Sequence, residues 1–351
     1  MMKKQRQIKK FVDKVYEDGE FNGCILVAEG GETVFSGAYG FAELEEETPL
    51  TEQTMFDIAS VSKTFTAMAV MILQERGDLD IDETVDTYLS GFPYAEITIR
   101  HLLHHTSGLP DYMDLFAEHW DESEIATNPD VLEMLIEHEP DLEFEPNDQH
   151  EYNNTGYVLL ACLVEEVSGI KFADFMKRNI FAPLGMTRTR ICNRRLSDPK
   201  IRDYAYGHVY DEDAEGYLLP DDLEDYDYVV YLDGIQGDGA VNSTIEDLLK
   251  WDRALYANEL ISEETTASLF TGSWTNDEEY VDYGLGWCLD WQDIEDPEEP
   301  AEVVYHDGNW AGYTSILVRN MTYDLTIIIL SNCDDDLEPL YEKIEEIMLE
   351  E

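Results

Sequence analysis

Cations are scarce in this chain. Its 351 residues hold 22 lysines and arginines against 78 aspartates and glutamates, a formal charge of −56. A field of that sign repels nucleic acid and anionic lipid, so no nucleic-acid partner is expected. Long apolar runs are lacking too: stretches such as Ala67 to Leu73 and Thr326 to Leu330 fall far below the roughly 20 residues of a membrane-spanning helix. Membrane insertion is not expected. The five cysteines, Cys24, Cys162, Cys192, Cys288 and Cys333, are scattered without C-x-x-C spacing, which suits reduced core thiols better than a disulfide framework or a zinc site. No apolar segment of signal-peptide type follows the early lysines, so the expectation is a cytoplasmic protein, or a secreted one if a leader was trimmed. A G-x-S-x-G is absent, and with it goes the usual elbow of the α/β-hydrolases.

What is present can fold. Hydrophobic residues make up 44% with ordinary aromatics, arguing for a globule over a disordered acidic chain. The length exceeds what one core usually fills, so two subdomains or one domain with a large insertion are expected. The acid excess reads as a solvated shell, from salt adaptation or surface redesign. Residues 4–18, which carry four of the eleven lysines, read as an amphipathic helix. Gly23 to Ala28 and Thr33 to Gly40, separated by Glu29-Gly30-Gly31-Glu32, read as a hairpin. Residues 284–289, 314–318 and 325–330 read as strands and 337–349 as a helix, so that both ends of the chain share one sheet. Between them, helical patterns cover 60–76, 97–105, 130–138, 154–167, 172–178 and 244–257, with Gly77 and Gly169 as stops and Thr244-Ile245-Glu246-Asp247 as a start. Residues 210–228 and 292–302 are acid-rich and read as loops. The reading is an α+β protein: residues 1–59 and 265–351 form a sheet subdomain, 60–264 a mostly helical one, with the active site between.

One of the few later lysines stands in Ser60-Val61-Ser62-Lys63, ahead of the apolar run. Residues three apart share a helix face, so the Ser60 hydroxyl and the Lys63 amine can meet. A serine becomes a nucleophile when a neighbour takes its proton, and a lysine does so if burial lowers its pKa towards neutrality. Phe65, Met68 and Met71 offer that burial. The helix start adds N–H groups that favour an oxyanion. The spacing alone is weak evidence, because it recurs at Ser168 to Lys171 and Ser197 to Lys200; those two lie across a helix stop and in a proline-containing loop.

Two further groups of residues bear on the question. Tyr152-Asn153-Asn154 opens a helix, where a phenol can exchange protons and an amide can hold a carbonyl. Its bland alternative is a cap followed by a core tyrosine, and a second Y-x-N at Tyr256 to Asn258 shows how cheap the pattern is. His306-Asp307-Gly308-Asn309-Trp310-Ala311-Gly312 lies just before a C-terminal strand, with glycines that let a substrate backbone approach. A lone histidine is more often structural.

In this order, the three resemble serine hydrolases related to β-lactamases and penicillin-binding proteins, particularly the class C β-lactamase and family VIII esterase branch. The resemblance spans about residues 15–345 and rests also on Phe56-Asp57-Ile58-Ala59, on Leu102 to Pro110 and on Gly237 to Ser243. It implies a five-stranded antiparallel sheet with the terminal helices on one face and a helical subdomain on the other. Carried over, Ser60 would be the acylated nucleophile, Lys63 and Tyr152 would share the proton transfers, and Asn154 would hold the acyl side chain. The backbone N–H groups of Ser60 and Asn309 would form the oxyanion hole. His306 and Gly308 stand where penicillin-recognising members usually carry Lys-Thr-Gly. Histidine is mostly neutral at pH 7, so the preference for a substrate carboxylate weakens and neutral esters or amides are favoured. No cofactor is implied. Burial lowers the pKa of Lys63 while the acidic protein raises it, so activity is expected to rise with pH and to depend on ionic strength.

Other readings are weaker. His101-Leu102-Leu103-His104-His105 has metal-ligand spacing but no H-E-x-x-H glutamate, and no metal site is expected. Asp211 to Asp222 is a poor calcium loop, ending in aspartate. A rival from another class is a catalytically silent relative that binds a peptide or protein partner; the joint presence of serine, lysine and tyrosine argues against it.

Overall fold

The computed structural model describes residues 2–195, 201–290 and 299–350. A six-stranded antiparallel sheet runs in the order Cys288–Leu289, Val303–Trp310, Tyr313–Asn320, Leu325–Ser331, Gly23–Glu29, Glu32–Tyr39. Gly23 pairs with Ser331 and Glu29 with Leu325, so the two ends of the chain meet at the centre of the sheet. Because side chains alternate along a strand, each face receives its own core. Ile25, Val27, Ile327 and Ile329 point to the terminal helices Met2–Glu17 and Glu338–Leu349, meeting Ile8, Val12, Ile344 and Ile347. Leu26, Ala28, Ile328 and Leu330 point the other way, into the larger core with Phe65, Val70 and Trp251. A strand buried on both faces reads as a continuous apolar run, as Leu325–Ser331 does.

The helix Ser62–Arg76 is the centre of the larger core, with every side chain from Ser62 to Leu73 buried. It packs against Asn154–Ser168, itself buried from Thr155 to Val164. Both stop at glycines in the left-handed conformation, Gly77 and Gly169, as their sequence signals require.

Four expectations are corrected. The sheet has six strands, not five. Of the expected strand 284–289 only Cys288–Leu289 pairs, because Gly286 adopts φ 83° and runs so close to the serine helix that a Cβ there would lie 2.9 Å from the Lys63 carbonyl oxygen. His306 to Trp310 does precede a strand, Tyr313–Asn320, but is itself the end of another, Val303–Trp310, whose pattern is disguised by its polar residues. Residues 210–228 are not all loop: Val209–Asp211 pairs with Gly216–Leu218. Among the described residues three short helices escaped notice, Tyr112–His119, Tyr228–Tyr231 and Glu263–Leu269, the first and last marked chiefly by their caps at Asp111 and Ser262. The pair Ser197 to Lys200 and most of the acid-rich stretch 292–302 lie outside the described residues.

Helix Ile245–Ala257 is tied to the sheet by a buried ion pair. Arg319 Nε donates to Asp252 Oδ1 at 2.6 Å with the two side chains 1% and 0% exposed, and Thr326 Oγ1 donates to Asp252 Oδ2 at 2.8 Å. The guanidinium lies over the Tyr256 ring at 4.6 Å and the Phe270 ring at 5.0 Å. Removing one partner strands a buried charge. Asp252→Ala is expected to lower the unfolding free energy by about 3–5 kcal/mol, read from urea midpoints, and Asp252→Ala with Arg319→Met by less than the sum of the single changes.

Candidate active site

The short strand Phe56–Asp57 leads into a tight turn at the edge of the cleft between sheet and helices. Ala59 takes φ 44°, a left-handed conformation uncommon outside glycine, and its N–H is held by Asp57 Oδ1 at 2.8 Å. A 3-10 turn, Ala59–Val61, then feeds the helix Ser62–Arg76. Ser60 therefore stands just ahead of the α-helix rather than in its first turn. In a 3-10 turn side chains three apart eclipse, and Lys63 reaches back accordingly.

Lys63 is fully buried, yet its amine has three acceptors: Ser60 Oγ at 3.0 Å, Asn154 Oδ1 at 2.9 Å and the Asp238 carbonyl oxygen at 2.9 Å. Burial lowers its pKa from 10.5 to about 8, while the carboxylates of Asp238, Asp111 and Asp307 act the other way. An amide oxygen and a peptide oxygen can only accept. When Lys63 is neutral, its two N–H groups stay with Asn154 and Asp238, which leaves the lone pair directed at Ser60 Oγ. The amine also lies over the rings of Tyr152 and Tyr157, 4.8 and 5.7 Å from their centroids.

Tyr152 comes from the segment preceding helix Asn154–Ser168. Asn153 caps that helix by accepting the Gly156 N–H at 3.0 Å, which sets Asn154 at its first position beside Lys63. Tyr152 is 42% exposed as a residue, and its phenol interacts with the Ser60 hydroxyl. Burial raises the phenol well above its usual 10, and the Ser60 contact opposes that. The phenol thus holds its proton at neutral pH.

The strand Val303–Trp310 closes the other side. A Cβ on Gly308 would lie 2.8 Å from the Ser60 nitrogen and 2.7 Å from the Ile58 oxygen, so what approaches this glycine is the chain's own serine turn, not a substrate backbone as expected. Asn309 is exposed and lines the same pocket as Ser60 and Asn154, a cavity of about 800 Å³ including its open mouth. His306 departs from expectation. It is 1% exposed, its Nε2 lies 2.9 Å from the Tyr283 hydroxyl and its Nδ1 2.6 Å from the Asp307 carbonyl. Burial and then Lys63 lower its pKa to about 4, so it backs the cleft as a neutral ring and does not face substrate.

Several residues of the cleft had no assigned role in the sequence. Asp238 sits in the quoted Gly237-Asp238-Gly239, but it contributes a peptide oxygen, which no side-chain pattern reveals; its carboxylate accepts from Tyr112 at 3.0 Å. Burial raises the carboxyls of Asp238 and Asp111, and that of Asp57 to about 6. Arg194 and Arg195 also line the pocket and are paired with Asp221, the second with Asp233 as well. The other S-x-x-K described is unconnected: Ser168 Oγ donates to the Val164 carbonyl and Lys171 pairs with Glu165 in solvent. The ring nitrogens of His101 and His104 are engaged by the Thr98 N–H and the Tyr283 carbonyl.

Known proteins share this fold. A family model described as Beta-lactamase matches residues 8–349. The chain is 46% identical over 335 residues to penicillin-binding protein 4* of Bacillus subtilis, covering 95% of this chain and 73% of that one. It is 28% identical over 235 residues to a D-aminopeptidase of Brucella anthropi, there covering 67% of this chain and 42% of the relative. Among solved structures, a penicillin-binding protein from Bacillus halodurans superposes with a TM-score of 0.80 at 29% identity, over 95% of this chain and 98% of that one. A D-amino acid amidase from Ochrobactrum anthropi shares the fold, with a TM-score of 0.78 at 22% identity over 99% and 98% of the two chains. Among the described residues no helix is long and apolar enough to cross a membrane. From residue 8 to residue 349, then, this chain belongs to the β-lactamase family of serine hydrolases.

Proposed function

We propose that Ser60 forms the acyl-enzyme and that Lys63 is the base that activates it. The observation that carries this reading is the amine itself, held by two obligate acceptors so that its lone pair meets Ser60 Oγ. In acylation Lys63 takes the serine proton as Oγ attacks a carbonyl. The tetrahedral oxyanion is received by the backbone N–H groups of Ser60 and Asn309, which Gly308 brings together by packing on the serine turn. Tyr152, protonated at the outset, hands its proton to the departing amine or alcohol and regains one from the Lys63 ammonium, which leaves both groups as they began. Water then attacks the acyl carbonyl, its proton passing to the same groups, and Ser60 is released. Asn154 orients Lys63, leaving its amide nitrogen 3.4 Å from Asp111.

The substrate is a small amide, peptide or ester that is neutral or carries an amine. The protein carries a formal charge of −56, the two pocket arginines are already paired, and a neutral His306 occupies the place of a family ammonium. The name of one relative, D-aminopeptidase, points to acyl groups of D-configuration. Five free cysteines support a reducing, cytoplasmic setting.

Three outcomes test the reading. With a p-nitrophenyl acyl ester, Ser60→Ala is expected to lose at least about 10³-fold in kcat, and a fluorophosphonate to label Ser60 in the parent only; equal turnover by mutant and parent refutes it. Below pH 8 Lys63 is mostly cationic and cannot accept a proton, so kcat/KM should rise about tenfold per pH unit and level off above about pH 8; a flat profile from 5 to 9 contradicts the base assignment. Between matched p-nitroanilides, D-alanyl should exceed succinyl in kcat/KM by at least about tenfold at low salt, with the gap narrowing in about 1 M salt.

A further inference from the structure

His105 takes no part in the chemistry above, yet it grips the residue that does. Its backbone is left-handed, with φ 59°, which turns both its carbonyl and its ring towards the segment carrying Tyr152. The Glu151 N–H donates to the His105 carbonyl at 3.0 Å, and the Asn153 N–H donates to His105 Nδ1 at 3.1 Å. Tyr152 is thus bracketed by bonds from the residues on either side of it to a single histidine. The imidazole also packs on the phenol ring, 4.3 Å between centroids at 35°, and is itself wedged between Tyr157 at 4.9 Å and Tyr283 at 4.5 Å.

The hydrogen bonds settle the state of the ring. A backbone N–H only donates, so Nδ1 must be an unprotonated acceptor, and the single ring proton sits on Nε2. That nitrogen is buried with no partner among the described residues, in a side chain 1% exposed. An apolar residue would fill the space without an orphaned donor, so the acceptor at Nδ1 is what the position requires. Burial first, and then Lys63, His150, His306 and His104, lower the pKa of the ring well below its usual 6.5 and keep it neutral, while the phenol rings of Tyr152, Tyr157 and Tyr283 pack around it. A protonated ring would lose the acceptor for Asn153.

We propose that His105 is a positioning residue for catalysis: it holds the Tyr152 phenol against Ser60 by clamping the backbone on both sides of the tyrosine and stacking on its ring. This inference rests on the reading of Tyr152 as the proton donor.

A double-mutant cycle tests it. His105→Phe keeps a ring but removes the acceptor; His105→Asn places an oxygen where Nδ1 stands and tolerates the left-handed backbone. Each is made in the parent and in Tyr152→Phe, with kcat and KM measured on a p-nitrophenyl ester and folding followed by thermal melting. His105→Phe is expected to lower kcat about 10²-fold with KM changed less than about threefold, and His105→Asn to recover all but about fivefold. In the Tyr152→Phe background His105→Phe should cost less than about threefold. If the phenylalanine variant does not fold, His105→Gln, which has no acceptor at the Nδ1 position, replaces it in the cycle. Equal losses in both backgrounds, or full activity without the acceptor, overturn the proposal. Tyr152→Phe with unchanged kcat would instead remove the proton-donor reading on which it stands.

Discussion

A primary amine taken out of water and given three acceptors, none of them a bonded carboxylate, is the constraint around which this molecule is organised. Contact with a carboxylate would lock Lys63 in its charged form. Without acceptors the amine could not be buried at all. The compromise uses a hydroxyl, an amide oxygen and a peptide oxygen, with the carboxylates of Asp238, Asp111 and Asp307 near enough to keep the pKa from falling further. The result is an amine whose pKa burial lowers to about 8 and whose lone pair, once it is neutral, has one direction left to point.

That arrangement sits inside a strongly acidic protein, and the surrounding structure limits the consequence. The protein's net negative field favours a protonated lysine, but burial opposes it and added salt screens the distant charges. Close to the site the excess acid is handled locally. Asp221 and Asp233 engage Arg194 and Arg195, and burial holds Asp57, Asp111 and Asp238 towards their neutral forms. Farther off, Asp252 and Arg319 join the helical layer to the sheet by a charge pair sealed under aromatic rings. The two layers are therefore fastened together, and Gly308 and Gly286 let their segments touch the serine turn and its helix directly.

The outline of the fold was readable because its signals are local. The apolar runs of Gly23–Glu29 and Leu325–Ser331 and the glycine stops at Gly77 and Gly169 need no knowledge of distant residues. Ser60 and Lys63 were readable for the same reason, three residues apart at a helix start. The strand holding His306 was missed since Asp307, Gly308 and Asn309 interrupt its apolar pattern, and its strand identity comes from pairing with Tyr313–Asn320. Ser60 was placed in the helix, whereas the left-handed Ala59 holds it one turn short. The histidines showed the same limit: nothing in Leu103-His104-His105 tells which ring faces a tyrosine and which a carbonyl.

By itself the sequence determined which groups are available, their local spacing, and the alternating and helical patterns that bury Lys63. Tertiary structure alone decided what those groups do. The partners that set the state of the lysine lie 91 and 175 residues away along the chain, and a pKa follows from desolvation and acceptor geometry, neither of which has a signature in residue order. It also turned His306 away from the substrate and aimed His105 at the tyrosine segment, because the direction of a buried ring is fixed by what packs around it.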